Sequence, residues 1–478
     1  MAPKYRWTDA QGRQTLRTIV KNLIPQWPYG LYSYQEEVVL RILDGQDVLC
    51  CLNTGGGKSA MFSVPLIALR EVAKNPDLYP NLPTRSRPVG ILITPTIGLA
   101  ANIVSDLKKP GLPAFAYCHE TITESRKNGE NLVKIIQECS TYSLICLDPE
   151  HLRDKAWRRI TSADTFRSNV VFGGVDEAHL IKHWGAHFRP HFKHIGAFFR
   201  GRLPSSASVF GLSATIQPGA DTDSICRTLG FSRNSYYELR LTNERPNVQF
   251  IVQPLTHGFS SNDFPELLDY LNQNRKTVIH CRRIEDLHRL FVYAFDSLPL
   301  EPDRLRRIKT YHSLHSFDDN AETLRLLDED PMCQAVFATV AFTNGLNIRS
   351  LTDSLAYGFP STLDLKIQEA GRVGRNPAHA LRGCLALGIG AKRLKNGFMH
   401  GNAMLGQRAA EAGGDFASEM GKIRSKFGEY AHKVQVGDVL DMKPIYIVKN
   451  ARSIHALPVL LANTIDMILG IKCAGLGS

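Results

Sequence analysis

The sequence predicts an α/β protein made of two tandem units, each a parallel sheet covered by helices, followed by a short C-terminal extension. Three observations carry this. Apolar, β-branched runs end at polar or glycine-rich turns and alternate with stretches of helical periodicity, the pattern of a parallel sheet buried on both faces. The pattern halts at a polar segment containing prolines and then restarts. The chain has 478 residues, about three domains at roughly 150 residues each, so one compact domain does not account for it.

In the first unit, strands are expected at 47–52, 89–94, 143–147, 170–175 and 209–212, with helices such as 35–43 and 60–72 between them. In the second, strands are expected at 276–280, 308–311, 335–338 and 354–358, with a helix near 285–295. The boundary is expected around 242–254, where each proline pushes the residue before it out of the helical region. This divides the chain into 1–243, 244–390 and an extension, 391–478, which carries 12 Lys or Arg against 7 Asp or Glu and no legible motif. The apolar stretch 454–471 contains His455, Asn463 and Asp466. It reads as a core helix rather than a membrane span.

Lys and Arg number 57 against 46 Asp and Glu, a formal charge of +11. Such an excess favours a polyanionic partner, because each cation set against a phosphate releases condensed counterions. With 43% hydrophobic and 22% charged residues, whole-chain disorder is excluded. Ten cysteines, none in a C-x2-C pair, are too few for a disulfide scaffold and lack the zinc-ribbon spacing, so a reducing compartment and no structural zinc are expected. The opening MAPKYRWTDAQGRQ has no apolar core of a secretory signal.

The chemistry begins at LNTGGGKS, Leu52 to Ser59. A glycine-rich turn between a strand and a helix can point its backbone N–H groups inward and cradle a phosphate at the helix N-terminus. Thr54, Gly55, Gly56 and Gly57 form the cradle, Lys58 would reach the β- and γ-phosphates, and Ser59 would hold magnesium. The strict G-x4-G-K-S spacing is not met, since Leu52 stands at its first glycine. Asp176-Glu177-Ala178-His179 follows the strand-like VVFGGV, and the C-terminal ends of parallel strands are where open α/β sheets bind ligands. One carboxylate there can coordinate magnesium while its neighbour orients the attacking water.

LNTGGGKS, DEAH and Ser213-Ala214-Thr215 in the first unit, then Gln368-Glu369-Ala370-Gly371-Arg372-Val373-Gly374-Arg375 in the second, resemble motifs I, II, III and VI of superfamily-two helicases. Three further stretches resemble the RecQ-type DNA helicases within that superfamily. His183-Trp184-Gly185-Ala186-His187-Phe188-Arg189-Pro190 is similar to their aromatic-rich loop, Leu147-Asp148-Pro149-Glu150 to their TPE element, and Arg245-Pro246-Asn247 with FATVAFTNGLNI to their RPN element and motif V. The resemblance covers about residues 30 to 390.

It implies two RecA-like domains, ATP and Mg2+ as cofactors, single-stranded or tailed DNA as partner, and 3′ to 5′ translocation in DNA repair or recombination in the nucleus. It implies roles as well. Lys58, Asp176, Glu177, Gln368, Arg372 and Arg375 would be catalytic, with Arg375 an arginine finger. Ser59 and Asp176 would hold magnesium, Gln35 would read adenine, and His179, Ser213 and Thr215 would couple hydrolysis to movement. Thr94, Trp184, Phe188, Arg189, Thr339 and Asn344 would meet DNA. Independently of the resemblance, Trp184 and Phe188 offer π-faces for unpaired bases, and Arg189 offers a phosphate contact. Arg372 and Arg375, three apart, would share one helix face. His280 and His312, at strand ends, read as structural.

Departures from the family pattern are visible. Tyr32 replaces the arginine beside Gln35, Thr343-Asn344-Gly345 stands in motif V, Asn376 replaces an aspartate, and the four-cysteine zinc subdomain and winged helix have no counterpart. The alternative reading is therefore a DNA-stimulated ATPase or ATP-gated DNA-binding module that separates strands only with a protein partner.

Overall fold

The computed structural model describes residues 5–79, 81–181, 192, 194–232, 235–242, 248–253, 262–272, 275–299, 303–343, 348–357, 363–374, 383–388 and 439–440. The chain divides between Leu241 and Thr242 into two units.

Seven strands make the sheet of the first unit: β1 Val48–Cys51, β2 Val89–Ile93, β3 Ala114–Tyr117, β4 Leu144–Leu147, β5 Val170–Val175, β6 Ser208–Ser213 and β7 Tyr237–Arg240. Their order is β3-β4-β2-β5-β6-β1-β7, and every pairing is parallel. Residues of one strand alternate between two cores, which is why the strands read as continuous apolar runs. Val48 and Cys50 join Val38 and Leu66 on one face. Leu49 and Cys51 join Val175 and Leu229 on the other.

The N-terminal helix Ala10–Leu23 was not foreseen. It buries Leu16, Ile19 and Val20, and Trp7 just before it is fully buried. Each such side chain contributes about 1.5–3 kcal/mol when removed from water, so the arm is part of the unit's core.

The second unit contains β8 Val248–Gln253, β9 Thr277–His280, β10 Ile308–Tyr311, β11 Ala335–Ala338, β12 Asp353–Tyr357, β13 Gly383–Gly388 and β14 Val439–Leu440, in the order β10-β11-β9-β12-β13-β8-β14. All pairings are parallel except β14 with β8. The stretch expected as the boundary also holds an unforeseen inner strand, VQFIVQ, at Val248–Gln253. The extension is not wholly separate, since Val439 and Leu440 pair with Ile251 and Phe250. The helix expected at 454–471 lies outside the described residues; among the described residues, no helix is long and apolar enough to cross a membrane.

Both histidines read as structural are buried. The His280 ring meets Phe342 edge-on at 6.1 Å, and the His312 ring lies 3.9 Å from His315 and 5.8 Å from His288. Burial, and then the two neighbouring imidazoles, hold His312 below the ordinary histidine value of 6.5. A group with a lowered folded-state value contributes stability that is complete above its unfolded value and is lost as pH falls through the folded one. Urea unfolding should therefore show a loss of stability between about pH 7 and about pH 5, and His312→Phe should flatten that dependence. An unchanged slope in the variant would remove His312 as its source.

Candidate functional site

Because β5, β6 and β1 are adjacent and parallel, their C-terminal ends open onto one edge of the first sheet. From β1 the chain runs into Leu52–Ser59, from β6 into Ala214-Thr215, and from β5 into Asp176-Glu177. With neighbouring strands about 4.8 Å apart, the ends of β1 and β5 are separated by about 10 Å. The backbone fixes these loops to the sheet. The Leu52 N–H donates to the Ser213 carbonyl at 2.9 Å, Ala178 N–H to Leu212 at 2.8 Å, and Asp176 N–H to Ile93 at 2.9 Å.

Gly55 and Gly57 adopt φ of +87° and +71°, a left-handed conformation that L side chains resist. A Cβ on Gly57 would also stand 2.3 Å from Gln35 Nε2. The loop is gripped from outside by the helix Ser33–Leu43. Tyr34 OH donates to the Gly56 carbonyl at 3.1 Å, and Gln35 Nε2 donates to the Gly57 carbonyl at 3.2 Å while its Oε1 accepts the Tyr32 N–H at 2.9 Å. Both ends of the Gln35 amide thus meet backbone, so the side chain helps to hold the loop. The Tyr32 ring, 67% exposed, stacks on Tyr34 at 5.5 Å. Lys58 Nζ lies 3.3 Å from the Leu52 carbonyl and 3.4 Å from that of Asn53, long contacts that keep the ammonium over the loop. Ser59 is exposed where the helix Ala60–Lys74 begins, and its positive end adds to the field at the loop.

At the tip of β5, Asp176 is buried and Glu177 adopts φ of +49°, unusual for a residue with a side chain and common where function dictates it. The Glu177 N–H donates to Asp176 Oδ1 at 2.8 Å. His179 Nδ1 lies 3.0 Å from Ser213 Oγ and 3.4 Å from Glu177 Oε2, and the Thr215 N–H donates to Ser213 Oγ at 3.1 Å. A polar chain thus joins the acidic pair to the loop after β6.

The structure places other candidates differently from expectation. Thr94, expected at a DNA phosphate, is fully buried at the end of β2, its N–H on the Leu147 carbonyl. Thr339 is buried after β11, its N–H donating to Tyr311 at 3.2 Å. In the second unit Gln368 and Arg372 are buried. The helix Leu363–Ala370 ends before Arg372, which corrects the expected shared helix face of Arg372 and Arg375. Beyond the helix, Gly374 has φ of +63° and donates its N–H to the Leu351 carbonyl at 3.3 Å. Trp184, Phe188, Arg189, Asn344 and Arg375 lie outside the described residues. Tyr34 was missed, and its one sequence signal is its place beside Gln35 on the same helix. Among the described residues no group of three or more His, Cys, Asp or Glu is arranged to hold a metal ion.

Comparison with known proteins agrees with this arrangement. The DEAD/DEAH box helicase family model matches residues 32–222, and the helicase conserved C-terminal domain model matches 262–377. The ATP-dependent DNA helicase RecQ of Pasteurella multocida is 25% identical over 363 residues, 74% of this chain and 50% of that one. ATP-dependent DNA helicase hus2/rqh1 of Schizosaccharomyces pombe is 24% identical over 74% of this chain and 24% of its own length. A putative ATP-dependent RNA helicase of Acanthamoeba polyphaga mimivirus is 26% identical over 73% of this chain and 57% of its own length. The chain therefore spans between about a quarter and somewhat over half of these relatives' lengths. Among solved structures, the DUF1998 helicase MrfA bound to DNA and AMPPNP is similar with a TM-score of 0.60 at 17% identity, over 81% of this chain and 51% of that one. The DEAD-box helicase Mss116 bound to ssRNA and UDP-BeF gives 0.59 at 15%, over 81% and 76%. With a glycine-rich loop, an acidic pair and a Ser-Ala-Thr turn on one sheet edge, and both helicase domain models matched in order, the chain belongs to the superfamily-two helicases, with two tandem RecA-like domains, and is similar to RecQ helicases.

Proposed function

We propose that the chain is an ATP-driven DNA motor that couples hydrolysis to 3′ to 5′ movement on single-stranded DNA. The observation that carries this is the convergence of Leu52–Ser59, Asp176-Glu177 and Ser213-Ala214-Thr215 on one edge of the first sheet. Gly55, Gly56 and Gly57 leave room for a phosphate to approach backbone N–H groups, and Lys58 offsets its charge. Mg2+, when bound, supplies charge neutralisation at the phosphates, and Ser59 and Asp176 are the residues that would hold it. Glu177 orients the attacking water and accepts its proton. His179 shares contacts with Glu177 and Ser213, which makes it the natural reporter between hydrolysis and the loop after β6. Gln368, Arg372 and Arg375, from the stretch that resembles motif VI, are the further catalytic candidates, with Arg375 as an arginine finger. The 1–243 and 244–390 segments are the two lobes of this motor.

DNA as the track is supported by the RecQ relatives, the +11 charge and the aromatic segment at Trp184. Trp184→Ala should leave basal ATP turnover intact and remove most of the stimulation by single-stranded DNA, read by titrating turnover with oligonucleotide. Equal loss of both activities would make Trp184 core packing. A nuclear role in repair or recombination is proposed from the eukaryotic relatives of fission yeast, budding yeast and human.

The altered motif V at Thr343-Asn344-Gly345 favours keeping a second reading, a DNA-stimulated ATPase that needs a partner to separate strands. Strand displacement on 3′-tailed and 5′-tailed duplexes distinguishes them. Unwinding of the 3′-tailed duplex alone is expected, whereas DNA-stimulated turnover with no displacement on either would favour the second reading. Stimulation by RNA and not by DNA would overturn both.

A further inference from the structure

We propose that the N-terminal arm, residues 5–24, sets the nucleotide affinity of the loop Leu52–Ser59 by holding the helix Ser33–Leu43 at both ends, with Arg13 and Arg17 as positioning residues. The inference rests on reading that loop as the nucleotide site. The arm precedes residue 32, where the family match begins.

At the C-terminal end of the helix, the carboxylate of Asp44 accepts the Trp7 N–H at 2.7 Å, the Thr8 N–H at 3.0 Å and the Thr8 hydroxyl at 2.7 Å. Trp7 is itself anchored, its indole N–H donating to the Pro83 carbonyl at 3.0 Å. At the N-terminal end, Glu36 accepts Arg17 through both oxygens at 2.7 and 2.9 Å, and Arg13 reaches Glu36 at 3.4 Å and Glu37 at 2.6 Å. Bidentate guanidinium–carboxylate pairs fix angle as well as distance. The Glu36 side chain is only 9% exposed, so removing its cations would leave a buried charge unpaired, which is far costlier than losing a surface pair. For Glu37, burial alone would raise the carboxyl, yet the hydrogen bonds from Arg13 and Arg41 outweigh it and hold the group below its usual range.

The residues immediately before this pair are Tyr34 and Gln35, which grip the carbonyls of Gly56 and Gly57. Arm, helix and loop therefore form one mechanical series: two arginines on Glu36 and Glu37, then Tyr34 and Gln35 on the loop. Because Leu16, Ile19, Val20 and Trp7 bury the arm independently, cutting the ion pairs frees the helix N-terminus without detaching the arm.

The test is binding of a fluorescent ATP analogue with Mg2+ to the full chain, beside thermal melting. Arg13→Ala/Arg17→Ala should raise Kd at least about fivefold, the lower end of coupling between linked sites, with KM rising in parallel and kcat retained. Arg13→Lys/Arg17→Lys should recover part of the affinity, and Arg17→Glu with Glu36→Arg should recover more than Arg17→Glu alone. A purely structural role would lower the melting temperature and leave Kd unchanged. Should the alanine pair unfold, Tyr34→Phe cuts only the bond to Gly56, and a raised Kd there supports the series. A folded variant with wild-type Kd, while Lys58→Ala abolishes binding, overturns the inference. Wild-type binding by Lys58→Ala overturns the nucleotide reading instead.

Discussion

Arg375→Ala is expected to lower ATP turnover by about three to five powers of ten, the range of arginine fingers elsewhere, with nucleotide binding largely retained. The reason is differential: a guanidinium aimed at charge that develops only in the transition state contributes little to ground-state affinity. Arg372, by contrast, is buried directly after the helix Leu363–Ala370 and does not lie on it. Arg375→Lys should fail to rescue, because a compact ammonium lacks the planar fork of guanidinium. Single-turnover kinetics at saturating ATP read the effect, and a loss of less than about tenfold would reduce Arg375 to a surface charge.

Lys58→Ala should lower turnover by at least about a thousandfold, comparable to the loss of a preorganised donor at a developing oxyanion, and here binding should fall as well. Among the described residues, the Lys58 ammonium bonds to carbonyls of its own loop, at 3.3 and 3.4 Å, and to no side chain of the core. The melting temperature should therefore stay near that of the wild type. Undiminished turnover would remove the phosphate role from Leu52–Ser59.

Much of this was legible before any coordinates. β5, β10 and β11 occupy the residues that their apolar runs marked, and the edge carrying Lys58 and Asp176 followed from strand–turn–helix order. Two of the strands missed, β3 Ala114–Tyr117 and β7 Tyr237–Arg240, lie at the edges of the first sheet. There burial is partial and the apolar signal thins, as the half-exposed Tyr237 and Glu238 show. β8 was not foreseen because the prolines around it marked a domain boundary. Gln35 was legible by position but not by contact, since a local sequence pattern does not reveal that its amide is engaged by Tyr32 and Gly57. Nor does it reveal an arm whose residues lie 19 to 37 positions before their partners and brace the same helix. Thr94 illustrates the converse: a motif-bearing threonine whose depth is set by the packing of β2 against β4 and β5.

The most direct test of the motor is steady-state ATP turnover with Mg2+, measured as single-stranded DNA is titrated in. Basal turnover is expected to be slow, to rise severalfold to a plateau and to vanish in Lys58→Ala. Turnover that ignores DNA, or no turnover at any DNA concentration, would contradict the motor reading.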